Sequence, residues 1–586
     1  MRLAPAAICA AGVIAASASA PAPALARTPV VIEGVSEDER AAIEALLPDR
    51  ERPTTLFEAE RISEEAAARA LAWMRAEGYY AAEVTPEAEE EPPLARLNIA
   101  PGPRFHLLAP DLVFDGARPD ADTAQAASDA VHALTPDAPA RAADVLQAEA
   151  NALTALREAG YADAQAGERR VIVDHAASTM KAEFHIAAGA RVRMGDLHAD
   201  PADLFRQDFL DRLRSWRVGD TYDPEALSRV RRDMAATGAV ASASTHLAPV
   251  DEHGLRDIII DVSPAKRNAY ELGAGYSTTE GVSVDAQWTR RNFSHRADSI
   301  IVSTTLGELA QSGTISLVRP AAAGYERARH YSATLSHEDT AAYSRQGIAL
   351  STGVDADRRL RLGLSYGLQL SADEYDQTAG VDTAYVLSAF ADLRRDTTGA
   401  PLDARHGSIL DFRLEPSVST NSATVAFTRA IAEARFYESF GEDERFTFAE
   451  RAKLGWEAAM SGDEDEIPPD RRFYAGGGGS VRGYEYNSIY PRERDALGLT
   501  PGGQGLFEFS AEARMRIGDR FGVAAFVDGG NAFDEWSEAA DLRWGVGLGA
   551  RYNLGFAPLR VDIATPLDPE PGDPDFAIYI SLGQAF

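Results

Sequence analysis

The sequence predicts a threefold α+β repeat of βααββ type, followed by an all-β, sixteen-stranded antiparallel transmembrane barrel. Three observations predict it. Helix-ending glycines recur at near-constant spacing through the first 265 residues. The remaining residues alternate apolar and polar side chains in segments of barrel-strand length. After the N-terminus, no segment offers the roughly 18 uncharged apolar residues of a spanning helix. A membrane could therefore be crossed only by strands.

The chain has 586 residues, 45% of them hydrophobic, which is too long for one core. Its mean hydropathy is -0.24, unlike that of a helical membrane protein. The formal charge of -32 excludes the basic face that nucleic acid requires. The first residues read as an export signal over 1–26. Arg2 supplies the positive start, Ala6 to Ala16 an apolar stretch too short to span, and Ala18-Ser19-Ala20 or Ala24-Leu25-Ala26 the small-residue cleavage site. The only cysteine, Cys9, lies inside this segment, so an exported chain would carry no disulfide.

Three helical segments each end in glycine followed by a short strand: Glu64 to Glu77, then Gly78-Tyr79-Tyr80; Val145 to Ala159, then Gly160-Tyr161; and Pro224 to Thr237, then Gly238-Ala239-Val240. Ser63, Asp144 and Asp223 are the expected N-caps. Ala67, Leu71 and Met74 share one apolar face, as do Leu146, Ala150 and Leu153, and Leu227, Val230 and Met234. Strand-like pairs follow, clearest at Val240 to Ala248 and Leu255 to Val262, and a further helix precedes the last motif helix at Asp208 to Trp216. The weakest element is the opening strand, around Val30 to Val35. The spacing sets units at 27–104, 105–190 and 191–265, each too small to be an enzyme by itself.

From 266 to 586 the period changes to two. Candidate strands lie at 268–278, 281–291, 298–308, 311–319, 330–341, 345–355, 359–372, 383–395, 407–417, 423–437, 445–460, 505–518, 520–530, 541–555, 557–565 and 576–586. Sixteen is an even number, as a bacterial barrel requires. In 505–518, Phe507, Phe509, Ala511, Ala513, Met515 and Ile517 oppose Glu508, Ser510, Glu512, Arg514 and Arg516. In 541–552, Leu542, Trp544, Val546, Leu548 and Ala550 oppose Arg543, Gly545, Gly547, Gly549 and Arg551. A barrel in lipid turns the apolar rows outward and the charged rows inward. The last segment ends on Phe586, on the face of Ile578, Ile580 and Leu582.

One long segment, 461–504, interrupts the strands between the eleventh and twelfth. Long ordered loops in compact folds are usually functional. It carries Arg472-Phe473-Tyr474-Ala475, the run Gly476 to Gly479, Ser480, and then Val481-Arg482-Gly483-Tyr484. The glycine run is not followed by Lys-Ser/Thr, so it is no phosphate loop. No Cys cluster or His pair sits at metal spacing. Neither an enzyme nor a cofactor is expected.

The stretch Val218-Gly219-Asp220-Thr221-Tyr222-Asp223-Pro224 through Gly238 resembles a POTRA module. Three such modules ahead of a barrel resemble the BamA/TamA outer-membrane insertase superfamily, and within it the TamA branch. Val481-Arg482-Gly483-Tyr484 resembles the family's (V/I)-R-G-(F/Y) motif, which lies on the sixth extracellular loop, between strands eleven and twelve. Phe586 resembles the terminal aromatic signal of outer-membrane barrels. The resemblance implies a loop that folds back into the barrel, with Arg482 held by Glu512 and Asp528 and Phe526 close by.

The implied function is assembly of β-barrel proteins, autotransporters among them, in the outer membrane, with the N-terminal modules in the periplasm. The implied partners are unfolded outer-membrane clients, the lipid bilayer and an inner-membrane-anchored TamB-like protein. The implied device is a weak lateral seam between 268–278 and 576–586, eased by Gly273, Gly275 and Gly583. The alternative is a two-partner-secretion-type pore exporting one soluble partner. That would call for a plug helix and two modules, which the sequence does not display. A passive porin would leave the repeated front half unexplained.

Overall fold

The computed structural model describes residues 30–340, 342–358, 362–377, 380–399, 402–491, 502–555 and 557–586. The export signal expected over 1–26 lies outside them. The chain divides into two compact units. One ends at Val192 and adds Thr221–Pro224; the other holds Arg193–Asp220 and Glu225–Phe586.

The first unit contains two modules. In one, β1 (Val30–Glu33), α1 (Glu37–Ala45), α2 (Leu56–Ala76), β2 (Glu83–Glu90) and β3 (Pro93–Ala100) make a sheet of order β1-β3-β2. β3 runs parallel to β1 and antiparallel to β2. In the next, β4 (His106–Leu107), β5 (Asp111–Phe114), α3 (Ala121–His132), α4 (Ala142–Glu158), β6 (Gln165–Ala166), β7 (Arg170–Asp174) and β8 (Thr179–Ala187) repeat the plan with both outer strands split. β8 is central, with β4 and β5 parallel to it and β6 and β7 antiparallel. The second unit opens with β9 (Arg193–Asp200), α5 (Gln207–Leu213), α6 (Pro224–Ala236), β10 (Val240–Leu247) and β11 (Leu255–Pro264), of sheet order β10-β11-β9. Thus the βααββ pattern occurs three times, each time with its last strand in the middle.

Local details correct several expectations. Helix α2 begins at Leu56, not Glu64, because Thr55 caps it by accepting the Glu58 N–H at 3.2 Å. Ser63 is no cap; it lies inside the helix and its hydroxyl donates to the Glu60 carbonyl at 2.8 Å. Asp144 falls in the first turn of α4, whose cap position is Arg141, and acts there only through the helix dipole. The buried stripe of α4 is Val145, Ala148, Ala152 and Leu156. Leu146 and Ala150 face solvent, while Leu153 of the expected stripe packs at the edge of the core beside Leu156. No strand follows Gly78 or Gly160 directly. Tyr79 and Tyr161 donate back to Met74 and Leu156 carbonyls at 2.9 and 3.0 Å, which closes each helix before the chain turns.

The remainder is a closed antiparallel barrel of sixteen strands among the described residues. They are β12 (Asn268–Ser277), β13 (Gly281–Arg291), β14 (Ser299–Gly307), β15 (Ala310–Arg319), β16 (Arg327–Asp339), β17 (Ser344–Arg358), β18 (Leu362–Gln377), β19 (Gly380–Asp396), β20 (Gly407–Thr420), β21 (Thr424–Phe440), β22 (Phe446–Ser461), β23 (Gly505–Ile517), β24 (Phe521–Phe533), β25 (Arg543–Asn553), β26 (Pro558–Pro566) and β27 (Ala577–Leu582). Each corresponds to one predicted segment. The largest shifts are at β18, which runs to Gln377, and β27, which stops at Leu582.

The barrel is inverted relative to a soluble core. Leu272 and Leu548 are 80% and 69% exposed on the outer face, while Glu512, Asp528 and Asp562 are fully buried inside. Hydrocarbon outside and a polar interior satisfy both rows. Among the described residues no helix is long and apolar enough to cross a membrane.

The third module is fixed to the barrel by the turns after β13 and β15. Asn292 donates to the Leu204 carbonyl at 2.9 Å and Arg206 N–H to the His295 carbonyl at 2.7 Å. Arg296 pairs with Asp208 at 2.9 Å, and the Tyr325 hydroxyl donates to Asp233 at 2.9 Å. Burial raises the half-buried Asp233 carboxyl above its ordinary range.

Leu548 sits midway along β25, so Leu548→Arg should cost about 2–4 kcal/mol of barrel stability. Urea unfolding in lipid vesicles, followed by electrophoretic heat-modifiability, measures this. A cost near zero would mean that this row does not face hydrocarbon.

Candidate functional site: a buried arginine clamp inside the barrel

The segment between β22 and β23 turns into the lumen. Phe473, Ala475, Val481, Tyr484 and Ile489 are buried and pack with Leu506 and Ala532 of the wall. Backbone bridges join Phe473 to Gly503 and Ala475 to Ile489, so the loop brings its own local pairing into the barrel.

Arg482 lies at its tip, 2% exposed. Its Nε and Nη2 donate to the two Asp528 oxygens at 2.7 and 3.0 Å, a bidentate fork. Nη1 donates to Glu512 at 3.2 Å and to Asp562 at 3.1 Å. The Arg482 backbone N–H adds a bond to Asp528 at 3.2 Å. The guanidinium carbon sits 3.3 Å from the centre of the Phe526 ring, a cation–π stack that only a planar cation makes well. The sheet register assembles this set. Glu512 pairs with Phe526 across β23 and β24, and Asp528 faces Gly545 on β25. Arg514 and Arg551 donate to Glu512 at 3.0 and 2.8 Å, so its carboxylate is shared by three guanidiniums.

Room for the tip comes from β25. A Cβ at Gly545 would collide with the Arg482 carbonyl oxygen, one at Gly547 with the Phe526 ring, and one at Gly549 with Asp562. The inward row of β25 is glycine because the loop and its partners occupy that space. Gly483 has φ +106°, and a Cβ there would press on Pro566. Its N–H donates to the Tyr579 hydroxyl at 3.0 Å. Tyr484 is buried, with its hydroxyl 3.4 Å from the Trp544 and Asp568 carbonyls.

Sequence reasoning missed Asp562, although its alternation with Leu559, Val561 and Ile563 put it inside. It also missed a second anchor. Asp470 accepts from the Tyr375 hydroxyl at 2.5 Å and from Arg345 at 3.2 Å. Arg471 donates to Glu415 at 3.3 Å and to Ser371 at 3.1 Å. These partners lie on β17, β18 and β20, whereas the Arg482 partners lie on β23, β24 and β26. The loop is therefore held to two separate stretches of wall.

The chain end also departs from expectation. Phe586 does not continue the outer face of Ile578, Ile580 and Leu582. Gly583, at φ +91°, lies beyond β27 rather than within it and turns the chain inward. Gln584 then bonds Asp403 and Arg551 at 3.0 and 2.9 Å. Arg514 donates to the Phe586 carbonyl at 3.2 Å, and the ring packs with Ala404, Ile409, Tyr437 and Ala449. Gly273 and Gly275 are in β12, as expected, with Gly275 facing Ser581 of β27.

The family model described as the Omp85 superfamily domain matches residues 292–586. The chain belongs to the Omp85 superfamily. Among curated Omp85 relatives, it is 23% identical over 376 residues to the outer membrane protein assembly factor BamA of Nitratidesulfovibrio vulgaris, covering 61% of this chain and 46% of that protein. It is 21% identical over 477 residues to BamA of Neisseria meningitidis serogroup B, covering 70% and 59%. The chain thus spans about half the length of the curated relatives it matches. The crystal structure of BamA from Haemophilus ducreyi lacking POTRA domains 1–3 superposes with a TM-score of 0.65 at 16% identity, covering 82% of this chain and all of that one. This likeness is one of fold. An Omp85 barrel of this kind lies in the bacterial outer membrane, with its N-terminal modules on the periplasmic side.

Arg482→Ala would leave Glu512, Asp528 and Asp562 to share the remaining arginines. It should cost about 3–5 kcal/mol, as loss of one partner of a buried ion pair does. Arg482→Lys should recover only part of that, because an ammonium cannot make the fork. The urea midpoint of the folded barrel reads both variants. Full recovery by Lys would reduce the clamp to a simple charge.

Proposed function

We propose that this protein assembles β-barrel proteins in the outer membrane by offering client strands the edge of β12. One observation carries the reading. β12 and β27 share three register pairs, Gly275 with Ser581, Tyr276 with Ile580 and Ser277 with Tyr579. By contrast, β26 and β27 share six, and β12 and β13 share ten.

Carried on in the same register, Gly583–Phe586 would face Tyr270–Gly273. They turn inward instead, so among the described residues Asn268–Ala274 have no β27 partner. An exposed row of N–H and C=O groups is a template for another extended strand. Assembly of this kind draws its driving force from the client's own folding and involves no covalent chemistry.

On this reading the three βααββ units, at 27–104, 105–190 and 191–265, act as POTRA modules that hold unfolded outer-membrane clients, autotransporters included. Three units ahead of the barrel favour a TamA-like role, with an inner-membrane-anchored TamB-like protein as the partner to seek. The clamp of Arg482 by Glu512, Asp528 and Phe526 keeps the loop in the lumen while the seam works.

Gly275→Cys with Ser581→Cys places two thiols at a direct cross-strand pair, within disulfide reach. Cys9 is the only native cysteine, so competing pairings are few. Oxidation should abolish client insertion in cells, and reduction should restore it. Unchanged insertion with the seam bridged would reject the reading. Loss of one secreted soluble protein, with outer-membrane barrels intact, would instead indicate a secretion pore.

A further inference from the structure

We propose that the lumenal loop, from its glycine run to Gly483, is a crossbridge over the barrel seam, with Glu280 on one bank and Tyr579 on the other. On the β12 bank, the Gly478 N–H donates to the Glu280 carboxylate at 2.6 Å. Glu280 sits in the turn leaving β12, and its own N–H donates to the Ser277 hydroxyl at 2.8 Å. On the β27 bank, the Gly483 N–H donates to the Tyr579 hydroxyl at 3.0 Å. Tyr579 is 3% exposed and packs with Phe526, Ala564 and Ala577. The two banks face each other, since Ser277 pairs with Tyr579 in the register. Beyond that pair, Thr278 and Ile578 exchange two further bonds, both at 3.0 Å.

The glycines fit this task closely. A Cβ at Gly478 would approach the Tyr579 ring at 3.0 Å and Glu280 at 3.2 Å. One at Gly477 would approach Glu280 at 3.0 Å and Tyr486 at 3.1 Å. Side chains here would push the loop off the seam.

The two attachments differ in strength. The β27 bank is continuous with the clamp, because Arg482 is tied to Asp528, Glu512 and Asp562 one residue before Gly483. The β12 bank rests on the half-buried Glu280 carboxylate. When the seam parts, the loop therefore stays with β23, β24, β26 and β27, and the Gly478–Glu280 bond breaks first. Glu280 sets how readily the seam opens without touching anything that passes through it. The inference rests on the three-pair seam invoked above, not on what the seam is for. Unchanged client insertion with the seam bridged, together with seam protection as described here, would sink the proposed function alone.

The test is amide hydrogen exchange on the full chain in phosphatidylcholine vesicles. Glu280→Ala removes a charge-assisted bond, so exchange in β12 and β27 should quicken at least about tenfold, with β23 and β24 unchanged. Glu280→Gln, whose amide oxygen still accepts, should show a smaller rise. Tyr579→Phe should loosen the same amides from the other bank. Should the alanine variant not assemble, Glu280→Gln and Tyr579→Phe carry the test. Seam amides unmoved by the substitutions, or a rise spread equally over β23 and β24, would overturn the crossbridge.

Discussion

A guanidinium buried in a membrane barrel is stable only where carboxylates meet it at hydrogen-bonding distance, and the interior of this protein is arranged around that constraint. Taking Arg482 from water costs several kcal/mol. Asp528 offsets this with a bidentate fork, Glu512 and Asp562 with single bonds, and Phe526 with its ring face. Those carboxylates are buried too, so they also need cations, which Arg514 and Arg551 supply. The result is an interlocked charge cluster built from β23, β24, β25, β26 and the loop. Removing any member leaves others unmatched, which ties the loop position to the integrity of the wall. The inward glycines of β25 belong to the same arrangement, since they clear the volume in which the cluster sits.

The seam is the complement of this rigidity. Fifteen junctions of the ring join strands consecutive in sequence; the sixteenth must join the first barrel strand to the last, far apart in the chain. There the register is short, and Gly583 turns the chain end into the lumen before pairing can extend. The lumenal loop touches both banks through backbone N–H groups of its glycines. A stiff anchor beside a weak junction is what a barrel needs if it is to part at one place and remain closed elsewhere. The second anchor, around Asp470 and Arg471, holds the loop to a separate part of the wall.

Much of this was legible in the residues. Sixteen strands could be read because a membrane barrel imposes strict alternation, and the outward apolar rows and inward charged or glycine rows of β23, β25 and β26 obey it. Glu512, Phe526 and Asp528 were found by resemblance and lie on the inward face their alternation required. Asp562 was equally inward but had no motif to single it out. Glu280 and Tyr579 were invisible for a different reason. Their importance comes from closure, which juxtaposes turn 278–280 with strand 577–582 across some 300 positions. The misread face of α4 shows a further limit. The face read from Leu146, Ala150 and Leu153 is rotated in the fold, where Leu153 stays at its edge and Val145, Ala148, Ala152 and Leu156 take the core. Phe586 had the right parity for the outer face, and a single glycine in a left-handed conformation cancelled it.

The most direct test of the central claim is a double-mutant cycle between Arg482→Ala and Asp528→Ala, read from urea unfolding of the folded barrel in lipid vesicles. If the two side chains form one buried unit, the single losses overlap and the coupling energy is between about 1 and 3 kcal/mol. Losses that simply add, with coupling near zero, would show that the loop is held in the lumen by something other than this arginine.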